Sequence, residues 1–192
     1  MKISEEKVIE YVVGHKSLLQ RNRLEELFDT FSKVYRGSLA DYLLTRTAMP
    51  LFSFMGKLPD YFMFNSEDIT SLVIPGNIKQ IGRNAFKDSA IETLKLEDGV
   101  EILGVGCFEG CKNLKAVDLA DTITAIPNDC FRGCVNLTKV FLPDNIRTIG
   151  ADAFFGCDNV EIVANYRAKD KIRAKKSDYE FLKQHLKFTH ND

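Results

Sequence analysis

The chain has 192 residues, with 26 basic and 27 acidic side chains, a net charge of −1, an apolar fraction of 45% and 14 Phe. This composition can bury a sizeable core in one or two domains, which excludes disorder over most of the length, and its charge balance excludes a strongly basic protein. No apolar run reaches the roughly 18 residues of a membrane span, and the charged opening Met1-Lys2-Ile3-Ser4-Glu5-Glu6-Lys7 lacks the apolar stretch of a signal peptide, so a cytoplasmic chain without membrane contact is expected.

Residues 1–57 have a helical period. Ser4 is placed to cap a helix with Glu5 and Glu6 in its first turn, Ile3 and Val8 as a hydrophobic staple, and Gly14 as its end. A second predicted helix covers residues 17–36, where Leu24, Leu27, Phe28, Phe31, Val34 and Tyr35 recur at three and four and Gly37 supplies the stop. A third starts after Ser38 and must finish by Pro50. The expected duty of this region is to cap the open apolar end of the residues C-terminal to it. Its outer face is a second possible docking surface, and the apolar stretch Leu51-Phe52-Ser53-Phe54-Met55 has no assigned burial.

From about Leu58 onward the chain repeats with a period of 23. Residues 69–90 (one residue short), 91–113, 114–136 and 137–159 align as four units, residues 58–68 read as the second half of a degenerate leading unit, and a fifth begins at Val160 and fades after Val163. Positions one, four and six of each unit are apolar (Leu114, Val117 and Leu119 in the third), as suits a short strand feeding a shared core. A turn and a second apolar pair come next, then a column of Phe86, Phe108, Phe131 and Phe154 in an opposite wall. No single unit can bury this set alone, so the units must stack. Gly82, Gly104 and Gly150 share one column and Gly110, Gly133 and Gly156 another, both read as turn requirements.

The resulting pattern, roughly L-x-x-[LV]-x-[LI]-P-[DG]-x-[IV]-x-x-I-G-x-x-[AC]-F-x-G-C-x-N, resembles the BspA-like class of leucine-rich repeats of bacteria, their phages and some protists. The resemblance implies an α+β protein: a right-handed solenoid, residues 58–163, with a strand ladder on one face, between an N-terminal helical cap (1–57) and a C-terminal segment (164–192). It also implies protein recognition. Many members of the class are surface-attached adhesins with a signal peptide, from which this chain departs in its opening and its helical flanks.

Five cysteines, an odd number, favour reduced thiols over a disulfide framework. The spacings Cys107-x-x-x-Cys111 and Cys130-x-x-x-Cys134 suggest halves of a zinc site, but Cys111, Cys134 and Cys157 share a column with Ser89, and Cys107 and Cys130 share one with Ala85 and Ala153. Small buried packing positions are therefore the favoured reading, with no metal or other cofactor. Chemistry is scarce elsewhere. His15, His185 and His190 all lie in the flanks, and Gly104-Val105-Gly106-Cys107-Phe108-Glu109-Gly110 misses the dinucleotide spacing by one, with Gly104 and Gly110 explained by repeat columns. The chain is expected not to be an enzyme.

The last 29 residues open with Arg167, Lys169, Lys171, Arg173, Lys175 and Lys176 against Asp170 alone. A solvated basic linker is the favoured reading, and contact with an anion or nucleic acid the less favoured one. Ser177-Asp178-Tyr179-Glu180 is a capping-box pattern opening a predicted helix with Phe181, Leu182, His185 and Leu186.

In strands whose fourth position points inward, the third and fifth point outward and tile a surface about 4.8 Å per strand. The third column reads Ser71, Thr93, Ala116, Lys139, Ile162 and the fifth Val73, Lys95, Asp118, Phe141, Ala164. Val73, Lys95, Asp118, Lys139, Phe141 and Ile162 are the candidate partner-binding residues, with Phe141 the anchor unless the C-terminal segment covers it. The expected function is non-enzymatic recognition of another protein by occupancy, as an adaptor or a stoichiometric inhibitor, a phage-encoded inhibitor of a host protein being a special case. A nucleic-acid-associated protein using the basic segment and a surface adhesin are the alternatives.

Overall fold

A computed structural model describes residues 56–67 and 69–189. The helices expected before residue 51 and the 51–55 stretch lie outside the described residues.

The apolar alternation of the repeats becomes a parallel ladder. Strands β1 (Ser71–Ile74), β2 (Thr93–Leu96), β3 (Ala116–Asp118), β5 (Lys139–Phe141), β7 (Glu161–Asn165) and β9 (Leu186–Thr189) form a six-stranded sheet in that order, one strand per turn of the chain. Leu72, Leu94, Val117, Val140 and Ile162 pair in register across the first five strands and are buried. The second apolar pair of each unit builds a second sheet from β4 (Ala125–Ile126), β6 (Thr148–Ile149) and β8 (Arg173–Ala174), continued toward the N-terminus by bridges between Lys57, Gln80 and Ile102.

The third wall is the Phe column. Phe86, Phe108, Phe131 and Phe154 stack with ring centroids 5.4, 5.7 and 5.5 Å apart and nearly parallel planes, and Phe62 meets Phe86 edge to face. Every unit stacks its ring on its neighbours', so the core is continuous although each unit touches only adjacent ones.

The small column beside it has a chemical duty beyond packing. The thiols of Cys111, Cys134 and Cys157 donate to the carbonyls of Phe86, Phe108 and Phe131 at 3.1, 3.2 and 3.1 Å, each reaching one unit back. The Ser89 hydroxyl does the same with the Met63 carbonyl at 2.8 Å. Ser66, the first member of the column, is buried with no partner for its hydroxyl. Burial pushes the Cys111 and Cys157 thiols up to about 12 and raises those of Cys130 and Cys134 as well, so these four stay protonated at neutral pH. Cys107 and Cys130 lie sulfur to sulfur at 3.6 Å, fully buried.

The two glycine columns differ in cause. Gly110, Gly133 and Gly156 have φ of 69°, 72° and 79°, in line with the expected turn requirement. Gly82, Gly104 and Gly150 do not, and close approach explains them: a Cβ on Gly104 would collide with the backbone carbonyl of Gly82 in the preceding unit. A left-handed column that the repeat pattern leaves unmarked runs through Tyr61, Asn84, Gly106, Asp129 and Asp152, with φ between 50° and 63°. Asn and Asp tolerate that geometry because their short polar side chains bond locally.

The C-terminal segment adds another turn to the solenoid. Ala168 is fully buried, Ile172 and Ala174 pack on the core, and Arg173 pairs with Thr148 across the β6 and β8 ladder. The helix α1 (Tyr179–His185) is shorter than predicted and its capping box is not made: its N-cap is Asp178, whose side chain makes no cap bond. Leu186 leaves the helix for β9, in register with Ile162, because Leu186 and Phe188 are needed against the core at the end of the ladder.

Candidate functional site

The outward side of the six-stranded sheet is a shallow surface made by the odd positions of each strand. Five of the six expected residues stand on it: Val73 and Phe141 are 50% and 57% exposed, and Lys95, Asp118 and Lys139 are exposed on β2, β3 and β5. The Asp118 carboxylate lies 4.0 Å from the Lys95 ammonium. The C-terminal segment leaves Phe141 open.

Ile162 is a correction. It pairs with Val140, points inward and is fully buried, and Glu161 takes the outward place beside Lys139. The cause is a shortened unit: the inward strand residue Ile162 comes two positions after Val160, whereas Val140 comes three positions after Leu137. The same slip puts Val163, only 6% exposed, in the row of Phe141 in place of Ala164.

Charges on this face are matched across strands. Lys139 and Lys187 both reach the Glu161 carboxylate, at 3.6 and 2.9 Å, and Lys115 meets Glu92 at 2.7 Å in the neighbouring column. The hydrogen bond from Lys187, more than its charge, holds the Glu161 carboxyl below the usual range. Ser71 and Thr93 share a hydroxyl bond of 3.1 Å. The Lys139 ammonium sits 4.8 Å over the Phe141 ring. The surface thus offers a self-neutralised ladder of ions around one large exposed ring, a make-up suited to desolvation against another protein.

Sequence reasoning missed a second exposed aromatic. Phe155 is 59% exposed on the opposite wall, with the Arg132 guanidinium 4.8 Å over its ring and that guanidinium shared between Asp129 and Asp152 at 3.4 and 3.5 Å. Its column otherwise holds Lys87, Glu109 and Arg132, so an aromatic among charges was the available signal. His185, the described histidine, lies with Nδ1 2.8 Å from the Val160 carbonyl and its ring stacked on Phe181, which is a structural setting. Among the described residues no group of three or more His, Cys, Asp or Glu could hold a metal ion. No helix among them is long and apolar enough to cross a membrane.

Residues 57–175 match the BspA type leucine rich repeat region in six copies. The chain belongs to the BspA-type leucine-rich repeat family. The match takes in the degenerate leading unit and also the basic residues as far as Lys175, which the 23-residue frame alone leaves outside. Among solved structures this repeat protein is similar to a leucine rich cell surface protein of Faecalibacterium prausnitzii, with 26% identity and a TM-score of 0.50 over 60% of this chain and 35% of that one. It is likewise similar to a leucine-rich repeat protein of Bacteroides ovatus, with 25% identity and a TM-score of 0.53 over 62% and 33%. A T. pallidum leucine-rich repeat protein, 22% identical with a TM-score of 0.50 over 63% and 57%, shares the fold. The repeat protein spans about a third of the length of the first two. No curated protein matches it.

Proposed function

We propose that the strand face binds another protein, without catalysis, and acts by occupancy as an adaptor or stoichiometric inhibitor. An inhibitor made by a phage against a host protein is the special case. The observation that carries this is Phe141: a large aromatic on a regular strand, more than half exposed, ringed by ions that already satisfy one another. An exposed ring on a rigid strand is pre-organised, so little conformational freedom is lost when a partner's pocket takes it. A cytoplasmic setting is part of the proposal, supported by five buried free thiols. The cell-surface protein of F. prausnitzii supports display on a surface as the second reading.

Affinity capture of partners by the full chain, run beside the Phe141→Asp/Lys139→Glu variant, tests the reading once circular dichroism shows both are folded alike. A partner held by the wild type and lost by the variant is expected. A partner held equally by both moves recognition off this face.

A further inference from the structure

We propose that residues 165–179, within the last solenoid turn, form a binding surface for single-stranded nucleic acid. A basic segment that dangles as a linker carries its charge loosely, whereas this one is fixed. Ala168 is buried, Ile172 and Ala174 pack on the core, and the Arg173 amide of β8 donates at 2.8 Å to the carbonyl of Arg147, the residue just before β6, bringing two arginine backbones together. The side chains around these anchors, Arg167, Lys169, Lys171, Arg173, Lys175 and Lys176, all face solvent.

Elsewhere most cations of the described residues are paired, with Lys57, Arg83, Lys112, Arg147 and Lys183 the exceptions. Lys79, Lys87, Lys95, Lys115, Arg132, Lys139 and Lys187 each lie within 4.0 Å of a carboxylate, most of them on the adjacent turn. Among the described residues none of the six basic side chains of residues 165–179, nor Arg147 beside them, has such a partner. The sequence does not lack acids to supply. Described residues before 164 hold ten basic and fifteen acidic side chains, whereas residues 164–189 hold eight basic and three acidic ones. Within residues 165–179 only Asp170 and Asp178 stand against the six cations; the excess of like charge repels itself, and a polyanion relieves that repulsion while releasing its own counterions.

Two exposed rings choose between polyanions. Tyr166 and Tyr179 flank the cations and are 47% and 57% exposed, and the Lys169 ammonium lies 5.1 Å over the Tyr166 ring. Cations alone suffice for an acidic peptide, but cations bracketed by partly exposed aromatic rings match a backbone of phosphates with bases that stack.

The test is fluorescence anisotropy of the full chain with labelled single-stranded RNA and DNA of about 12 nucleotides, across a salt series starting near 50 mM. Log affinity is expected to fall linearly with log salt, by about 0.7 per phosphate contacted. Arg167→Gln/Lys169→Gln/Arg173→Gln is expected to weaken binding at least about tenfold and to reduce the slope by about 2. Tyr166→Ala/Tyr179→Ala is expected to weaken binding about tenfold with the slope unchanged. Preference for RNA or for DNA identifies which strand is the ligand. The proposal is overturned by absence of binding at the lowest salt, by equal binding of the triple variant with a wild-type melting curve, or by a labelled polyglutamate peptide that binds as tightly and ignores the tyrosine pair. That last outcome assigns the turn to an acidic protein.

Discussion

The central units, residues 91–159, and the last turn, residues 164–189, share one ladder but obey different rules. Stacking in register sets each side chain about 4.8 Å from its counterpart in the next unit, so any column of like charges repels itself. The central units answer by alternating sign: Lys95 against Asp118, Glu92 against Lys115, Lys139 against Glu161. The last turn breaks the alternation, placing Arg173 next to Thr148 with Arg147 alongside and no acid between them. It also abandons the Phe column, closing the core with Ala168, Leu182 and the partly buried Phe181 and Phe188. Periodic packing stabilises the middle, and the end, released from periodicity, is where charge accumulates.

Truncating the Phe stack gives the largest expected contrast. Phe131→Ala removes a fully buried ring held between two others and is expected to cost about 3–5 kcal/mol by urea denaturation, whereas Phe181→Ala in the last turn should cost well under half as much. Equal losses would mean that the two regions unfold as one unit and share their packing. Gly104→Ala comes next, at about 2 kcal/mol or more, because its Cβ meets backbone that cannot rotate away. A melting temperature unchanged by that substitution would show that adjacent units can separate.

The hydroxyl column sharpens the comparison at smaller scale. Ser89→Ala leaves the Met63 carbonyl without its side-chain donor and should cost about 1 kcal/mol, while Ser66→Ala removes an unpartnered buried hydroxyl and should gain a similar amount. Thermal melts of the two variants should therefore shift in opposite directions. Smallest is the pH dependence of the Glu161 bridge between β5 and β9. Its carboxyl is held low in the folded state, so its stabilisation is complete above the ordinary Glu range and lost as pH falls through the lowered value. Glu161→Gln should lower the melting temperature slightly at neutral pH and not at all in strong acid; a deficit that persists there would assign the effect to shape instead of charge.

The period of 23 makes the strand ladder, the Phe wall and the exposure of Val73, Lys95, Asp118, Lys139 and Phe141 legible, because each rests on a residue type that recurs at a fixed position. Legibility fails where one unit departs from the others. The repeat frame misplaces Ile162 because a single missing residue turns every later side chain of the strand to the other face. Arg173 reads as linker in the sequence because its strand is two residues long and its neighbours Ala168, Ile172 and Ala174 are too few to show a period. The duty of the thiol column is hidden for a different reason: Cys and Ser are both small and both donors, and only the carbonyl positions separate packing from bonding.

The central claim is that the strand face carries recognition, and hydroxyl-radical footprinting of the chain with and without its captured partner tests it most directly. Protection of Phe141 together with Val73, while the exposed Phe155 on the opposite wall stays fully reactive, is the predicted result. Undiminished labelling of Phe141 in the complex would contradict it.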